Sequence, residues 1–194
     1  MPHASGRPWL VGRWPAGQVV LAGAGPVRVG VIGVGPVTPT RLSELAARVR
    51  SVSDVDSLVA ALPGSWHVVV SIHGQVRLQG GMTGLRRVFC TRVHGVDVAS
   101  DRADLLAAMA RSGVDEEALA VRLVCGRQLP PPLNERPVWS GISAVPADHC
   151  LVWERDRARQ LRWWSPPAAR QPFEQGVVAV REVLTTAMDK RVPA

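Results

Sequence analysis

The side chains best suited to nucleophilic or metal chemistry are three thiols, Cys90, Cys125 and Cys150, and five imidazoles, His3, His67, His73, His94 and His149. A cysteine nucleophile needs a base within hydrogen-bond reach. Cys90 and His94 lie across a turn and could form such a pair. His149 and Cys150 are consecutive on a strand and point to opposite faces, which disfavours them. His67 and His73 share parity along a strand segment and could face one way. Zinc would want a third ligand, and no nearby Cys, Asp or Glu offers one, so no metal site is expected. The thiols are odd in number, far apart and without a Cys-x-x-Cys, which argues against a disulfide framework. Each reads instead as a small, buried apolar residue.

The glycine-rich pieces are weaker still as chemistry. Gly23-Ala24-Gly25 and Gly33-Val34-Gly35 begin like dinucleotide fingerprints, but Arg28 and Thr38 stand where the third glycine belongs. Gly80-Gly81-Met82-Thr83-Gly84 lacks the Lys-Ser/Thr of a phosphate loop. These read as turns between strands. Asp54 reads first as a helix cap.

Composition narrows the function classes. Apolar residues make up 46% and charged residues 20% of the 194, enough for a packed core. Lys190 is the single lysine among 23 basic residues. The arginines behind the net charge of +7 are spread from Arg7 to Arg191 among Asp and Glu. A nucleic-acid surface would cluster them and interleave aromatics, so nucleic acid is not expected as a partner. No apolar run reaches membrane-span length, and Pro8 and Pro15 interrupt any signal-peptide core, so no membrane association and a cytoplasmic location are expected.

The elements that must position these residues alternate in type. Pro8–Val11, Gln18–Leu21 and Val27–Val34 read as strands. Pro39–Val49 reads as a helix, and a second begins at a Ser53 or Asp54 cap and runs through Leu62. Ser65–Ile72 and Val76–Gln79 are strands about His73-Gly74, and Val88–Val93 and Val96–Ala99 about His94-Gly95. Helices follow at Asp101–Arg111 and at Asp115–Cys125, the latter with Leu119, Arg122 and Leu123 in phase. Pro130-Pro131-Pro132 is a stiff connector. Strands resume at Ile142–Val145, Cys150–Glu154 and Gln160–Trp164. Glu174–Lys190 is an amphipathic helix with Val177, Val180, Leu184 and Ala187 on one stripe. The order suits an α+β sandwich of antiparallel sheets.

One ordered series is more informative than any single motif. It runs Leu62-Pro63-Gly64-Ser65-Trp66, then Gly80 through Phe89, then Val98-Ala99-Ser100-Asp101. Gly141 through Val152 and Arg162-Trp163-Trp164-Ser165-Pro166-Pro167 complete it. The series resembles the N-terminal domain of asparagine synthetases. In that family a Gly-x-Phe-Ala strand, an Arg-Asp-x-x-Gly-x-x-Pro-Leu-Tyr-Tyr segment, a Phe-Ala-Ser-Glu segment and a Gly-x-x-x-x-Pro-Pro-Gly-His segment follow one another. The form found here looks most like the lasso-peptide macrolactam cyclases of high-GC bacteria.

The resemblance implies a fold and a division of labour. The fold would be α+β, a layered sandwich of antiparallel sheets flanked by helices. It would be a degenerate version of the N-terminal-nucleophile hydrolase-like, class II glutamine amidotransferase type. Residues 1–165 would form the glutaminase-like domain, 166–172 a Pro-rich linker, and 173–194 the leading helix of an ATP-binding synthetase domain. The Ser-Gly-Gly-x-Asp-Ser loop of that domain does not occur in this sequence, so the chain is expected to stop short of it. Glutamine-hydrolysing members resemble one another in a Cys directly after the initiator Met. Pro2 stands there, so no catalytic residue and no glutaminase activity are expected. Asp54 matches the family's glutamine-binding Asp of a Ser-Asp pair. Gly80 and Gly81 replace the charged pair of the Arg-Asp segment. No cofactor is expected in this chain, and ATP with magnesium is implied for the synthetase half. The implied partners are that ATP-binding synthetase domain and a precursor peptide with its leader-binding protein and protease. A glutamine-hydrolysing synthase or amidotransferase with a misassigned start is one alternative. A freestanding scaffold, binding peptide or a synthetase half in trans, is another.

Overall fold

The computed structural model describes residues 9–126, 129–130, 133–168, 170 and 172–189. Two compact units make it up. One contains the chain up to Leu78 together with the residues from Trp163 on, and the other is Gln79–Arg162.

The first unit is built on a sheet in the order β1 (Val19–Ala24), β2 (Val27–Val34), β3 (Ser65–Ile72), β4 (Gln75–Gln79). β1 and β2 pair antiparallel with Val20 opposite Val31, and β2 and β3 with Val29 opposite Val70. Val27, Val29 and Val31 alternate onto one face with Trp66, Val68, Val70 and Ile72 of β3. Two helices cover that face. α1 (Pro39–Ala46) starts where the Thr38 hydroxyl accepts from the Arg41 amide at 3.2 Å and Pro39 supplies a fixed φ. It buries Leu42, Leu45 and Ala46. A 3-10 turn (Val52–Asp54) leads into α2 (Val55–Ala60), which buries Val55 and Leu58. Gly33 and Gly35 of the fingerprint-like stretch serve the sheet. A Cβ on either would collide with a backbone carbonyl, of Ser65 or of Pro63.

The second unit holds a three-stranded sheet in the order β6 (Val96–Ser100), β5 (Val88–Val93), β7 (Ser143–Val145), together with an antiparallel hairpin of β8 (His149–Glu154) and β9 (Arg157–Arg162). α3 (Ala103–Ala110) lays Leu106 and Ala107 against Phe89 and Ile142. α4 (Glu116–Cys125) is capped by Asp115, whose carboxylate accepts from the Ala118 amide at 3.0 Å. Asp97 ties the two hairpins of this unit together. Its Oδ2 accepts from the Ala158 amide at 2.8 Å, and its carbonyl accepts from the Trp153 indole at 2.9 Å.

The α+β class with antiparallel sheets and flanking helices is as expected. Several local expectations are corrected. Trp9–Val11 form no strand, and Val11 is exposed. The run is short, and Gly12 and Pro15 follow at once. Asp54 stands at the N-cap position of α2, as expected, but its side chain makes no cap bond to that helix; it closes a capping box with Ser51 at the start of the preceding 3-10 turn instead. β9 begins at Arg157, earlier than its apolar residues suggest. Arg155 adopts a positive φ of 59° and closes a tight turn. In α4 the phase of Leu119 and Leu123 does not mark a core face. Both are exposed, and Ala118 is the buried residue.

After Trp163 the first unit ends in α5 (Phe173–Asp189), where no described side chain is buried. No helix among the described residues is long and apolar enough to cross a membrane.

Candidate functional site

Asp54 sits in the 3-10 turn with its Oδ2 accepting three hydrogen bonds. They come from the Arg50 amide at 2.9 Å, the Ser51 amide at 2.8 Å and the Ser51 hydroxyl at 3.1 Å. The two backbone donors, then the hydroxyl, hold its carboxyl below the usual aspartate range. The carboxylate is thus a structural clamp on the helix start. Pro2 lies outside the described residues.

The structure does not assemble the nucleophile pairs. Cys90, on β5, is opposite Ala99, and His94 is in the β5–β6 turn with φ 47°. Burial, and then the charge of Asp97, push the Cys90 thiol up, away from the thiolate a nucleophile requires. Cys150 is buried in β8. The neighbouring His149 ring meets Asp148 at 2.6 Å, and the other oxygen of Asp148 meets Arg162 at 3.0 Å. The hydrogen bond with His149 is the main cause of a lowered Asp148 pKa. His67 is buried in β3, whereas His73 occupies a turn with φ 48°, so strand parity does not apply to it.

The second unit contains a feature that sequence reading missed. A cavity of about 530 Å³ opens between the Met82–Arg87 loop, the C-terminal end of α4 and the Val145–Ala147 turn. Arg86, Arg87 and Arg122 line it together with Glu135, Leu129 and Pro146. Arg122, on α4, donates through Nη2 to the carbonyls of Arg136 at 2.8 Å and Asn134 at 3.4 Å. Its buried Nε finds no acceptor among the described residues. Arg87 donates to the Glu135 carbonyl at 2.9 Å and lies 5.1 Å from the centre of the Phe89 ring. Desolvation and then the charge of Arg122 lower the Arg87 pKa, and Glu135 opposes them. Two cations are therefore held together where water is partly excluded.

Gly80 shapes the loop that carries Arg86. A Cβ there would overlap the Arg86 carbonyl oxygen, whereas at Gly81 the nearest atom, Thr83 Oγ1, is 3.8 Å away. The glycine at position 80 thus permits a backbone approach that no larger residue allows.

The third feature is the bare face of α5 in the first unit. Val177, Val180, Val183, Leu184 and Met188 are each at least half exposed. The expected stripe is present, and nothing in the described chain buries it.

No protein-family model matches the chain, and no curated protein matches it. Among solved structures it is similar to the glutamine phosphoribosylpyrophosphate amidotransferase from B. subtilis complexed with ADP and GMP. The TM-score is 0.46 at 8% identity, over 72% of this chain and 30% of that one. The chain thus matches less than a third of the length of that protein.

Proposed function

We propose that this chain is a glutaminase-like domain without glutaminase chemistry that serves the amide-forming half of an asparagine-synthetase-type ligase, of the lasso-peptide cyclase kind. The observation that carries the reading is α5, a seventeen-residue helix with an apolar stripe and no buried side chain. Such a stripe calls for a partner surface. In the family it resembles, the matching helix leads into the synthetase domain. The series of motifs from Leu62 to Pro167 supports the same reading.

In such a ligase the partner domain binds ATP and magnesium. A carboxylate of the precursor peptide attacks ATP, releasing pyrophosphate and leaving an acyl adenylate. The peptide's own α-amine then displaces AMP and closes the amide. The amine arrives within the substrate, so no ammonia from glutamine is required. A buried thiol such as Cys150, and one with a raised pKa such as Cys90, are compatible with a chain that needs no nucleophile. Asp54 keeps its place in the helix cap without a glutamine to hold.

The test is reconstitution. The chain is combined with a synthetase domain carrying the Ser-Gly-Gly-x-Asp-Ser loop, ATP, magnesium and a precursor peptide freed of its leader by the leader-binding protein and protease. The expected result is peptide lighter by one water, formed only when both protein parts are present and without added glutamine. Cyclisation that requires glutamine, or that proceeds equally without this chain, would sink the reading.

A further inference from the structure

The arginine-lined cavity of the second unit has no part in the scheme above, and its chemistry is specific enough to assign a ligand class. Three arginines and one acidic residue, Glu135, line it, so the lining carries a surplus of positive charge. Arginine does not shed its proton in a protein, so Arg87 and Arg122 stay charged side by side and favour an anion between them. The two forks are oriented in advance, because each already donates to backbone carbonyls of the 134–136 segment. Planar guanidinium edges suit a planar, two-oxygen acceptor.

Size and wall chemistry narrow the ligand further. At about 530 Å³ the cavity exceeds what one small ion needs and falls in the range of sites for organic ligands. Leu129 and Pro146 provide apolar wall beside the cations. A bare phosphate would leave that wall against water, whereas a carboxylate on an aliphatic stem covers it.

We propose that this cavity is a recognition site for a carboxylate-bearing segment of an acidic peptide. The proposal does not depend on the ligase reading, since it rests on a different unit of the chain.

The full chain is titrated calorimetrically with a short, capped peptide holding one Asp between aliphatic residues, and with its Asn twin. Saturable binding of the Asp peptide alone is expected, weakening as salt is raised. Arg122→Gln should weaken it about tenfold or more, and Arg122→Lys should recover little, because charge without the fork is insufficient. Should Arg122→Gln fail to fold by circular dichroism, Arg86→Gln on the facing loop provides the same readout. Equal binding of the two peptides, or indifference to both Arg122→Gln and Arg86→Gln, would overturn the proposal. So would displacement of the peptide by inorganic phosphate at equal concentration, which would mark a phosphate site instead.

Discussion

The guanidinium of Arg77, buried on β4, is bonded to the carboxylate of Asp56 on α2. Its other terminal nitrogen donates to the Val52 carbonyl at 2.9 Å. One buried cation thereby pins the short helix and its 3-10 entry to the sheet. The partners are unequal, because Arg77 is sealed and Asp56 is about half exposed. Asp56→Ala strands a buried charge and is expected to cost roughly 1–3 kcal/mol in urea unfolding. Arg77→Met should cost less, since the released Asp56 returns to water and an apolar chain fills the space. The reverse order would show that the Val52 anchor, not the ion pair, dominates.

β4 also shows where sequence reading loses information. In Gln75–Gln79 the alternation places Val76 and Leu78 on one face, the natural choice for a core. The structure buries Arg77 and Gln79 instead and leaves Val76 and Leu78 half-buried. A period of two fixes which residues share a face but not which face is covered. Covering depends on partners remote in sequence, here the Val52 carbonyl and Asp56.

Gly80→Ala should destabilise the protein by roughly 1–3 kcal/mol, because the loop must shift to free the Arg86 carbonyl. Gly81→Ala, with open space around it, should be nearly neutral. Thermal unfolding of the two variants side by side checks this. Equal effects would mean that loop flexibility, rather than the close approach, selects glycine at both positions.

Thiol labelling should rank the cysteines by environment. Cys125 is exposed and should react first, and Cys150 should be protected until the protein unfolds. Cys90 has a raised pKa, so at any given pH less of it is thiolate than in the denatured chain. Its labelling rate should therefore go on rising with pH after that of the denatured chain has levelled off. Asp97→Asn should lower this threshold only in part, since burial is the larger cause. A Cys90 that labels as fast as the denatured chain at neutral pH would overturn this. The same preparation should release no ammonia from glutamine, and turnover abolished by Cys90→Ala or Cys150→Ala would contradict the proposed function.

The hairpins at His73-Gly74 and His94-Gly95 were legible because both residues of each turn adopt positive φ, a conformation that glycine supplies freely. β2 and β3 were legible to the residue because their Val-rich runs end at turns. The arginine cavity was not. Arg86 and Arg87 are distant in sequence from Arg122, and in a chain whose basic residues are nearly all arginine no single one stands out. Their convergence is a product of tertiary structure alone.

α5 permits the most direct test of how the chain is used. Val177, Val180, Val183, Leu184 and Met188 present side chains 50–68% exposed. A contiguous stripe of this kind approaches the few hundred Å² at which patches drive association. Covering each such side chain fully is worth roughly 1–3 kcal/mol, so a docking partner has a substantial reward to collect. In its absence the isolated chain should self-associate or fray along this helix. Deleting residues 171–194 is expected to raise solubility and leave the unfolding temperature of the remainder almost unchanged, because no described α5 side chain is buried. Light scattering and calorimetry of the two forms decide the matter. A loss of several kcal/mol on deletion would mean that the helix completes the core of the first unit. The chain would then be a self-sufficient module, and the docking role proposed for α5 would fall.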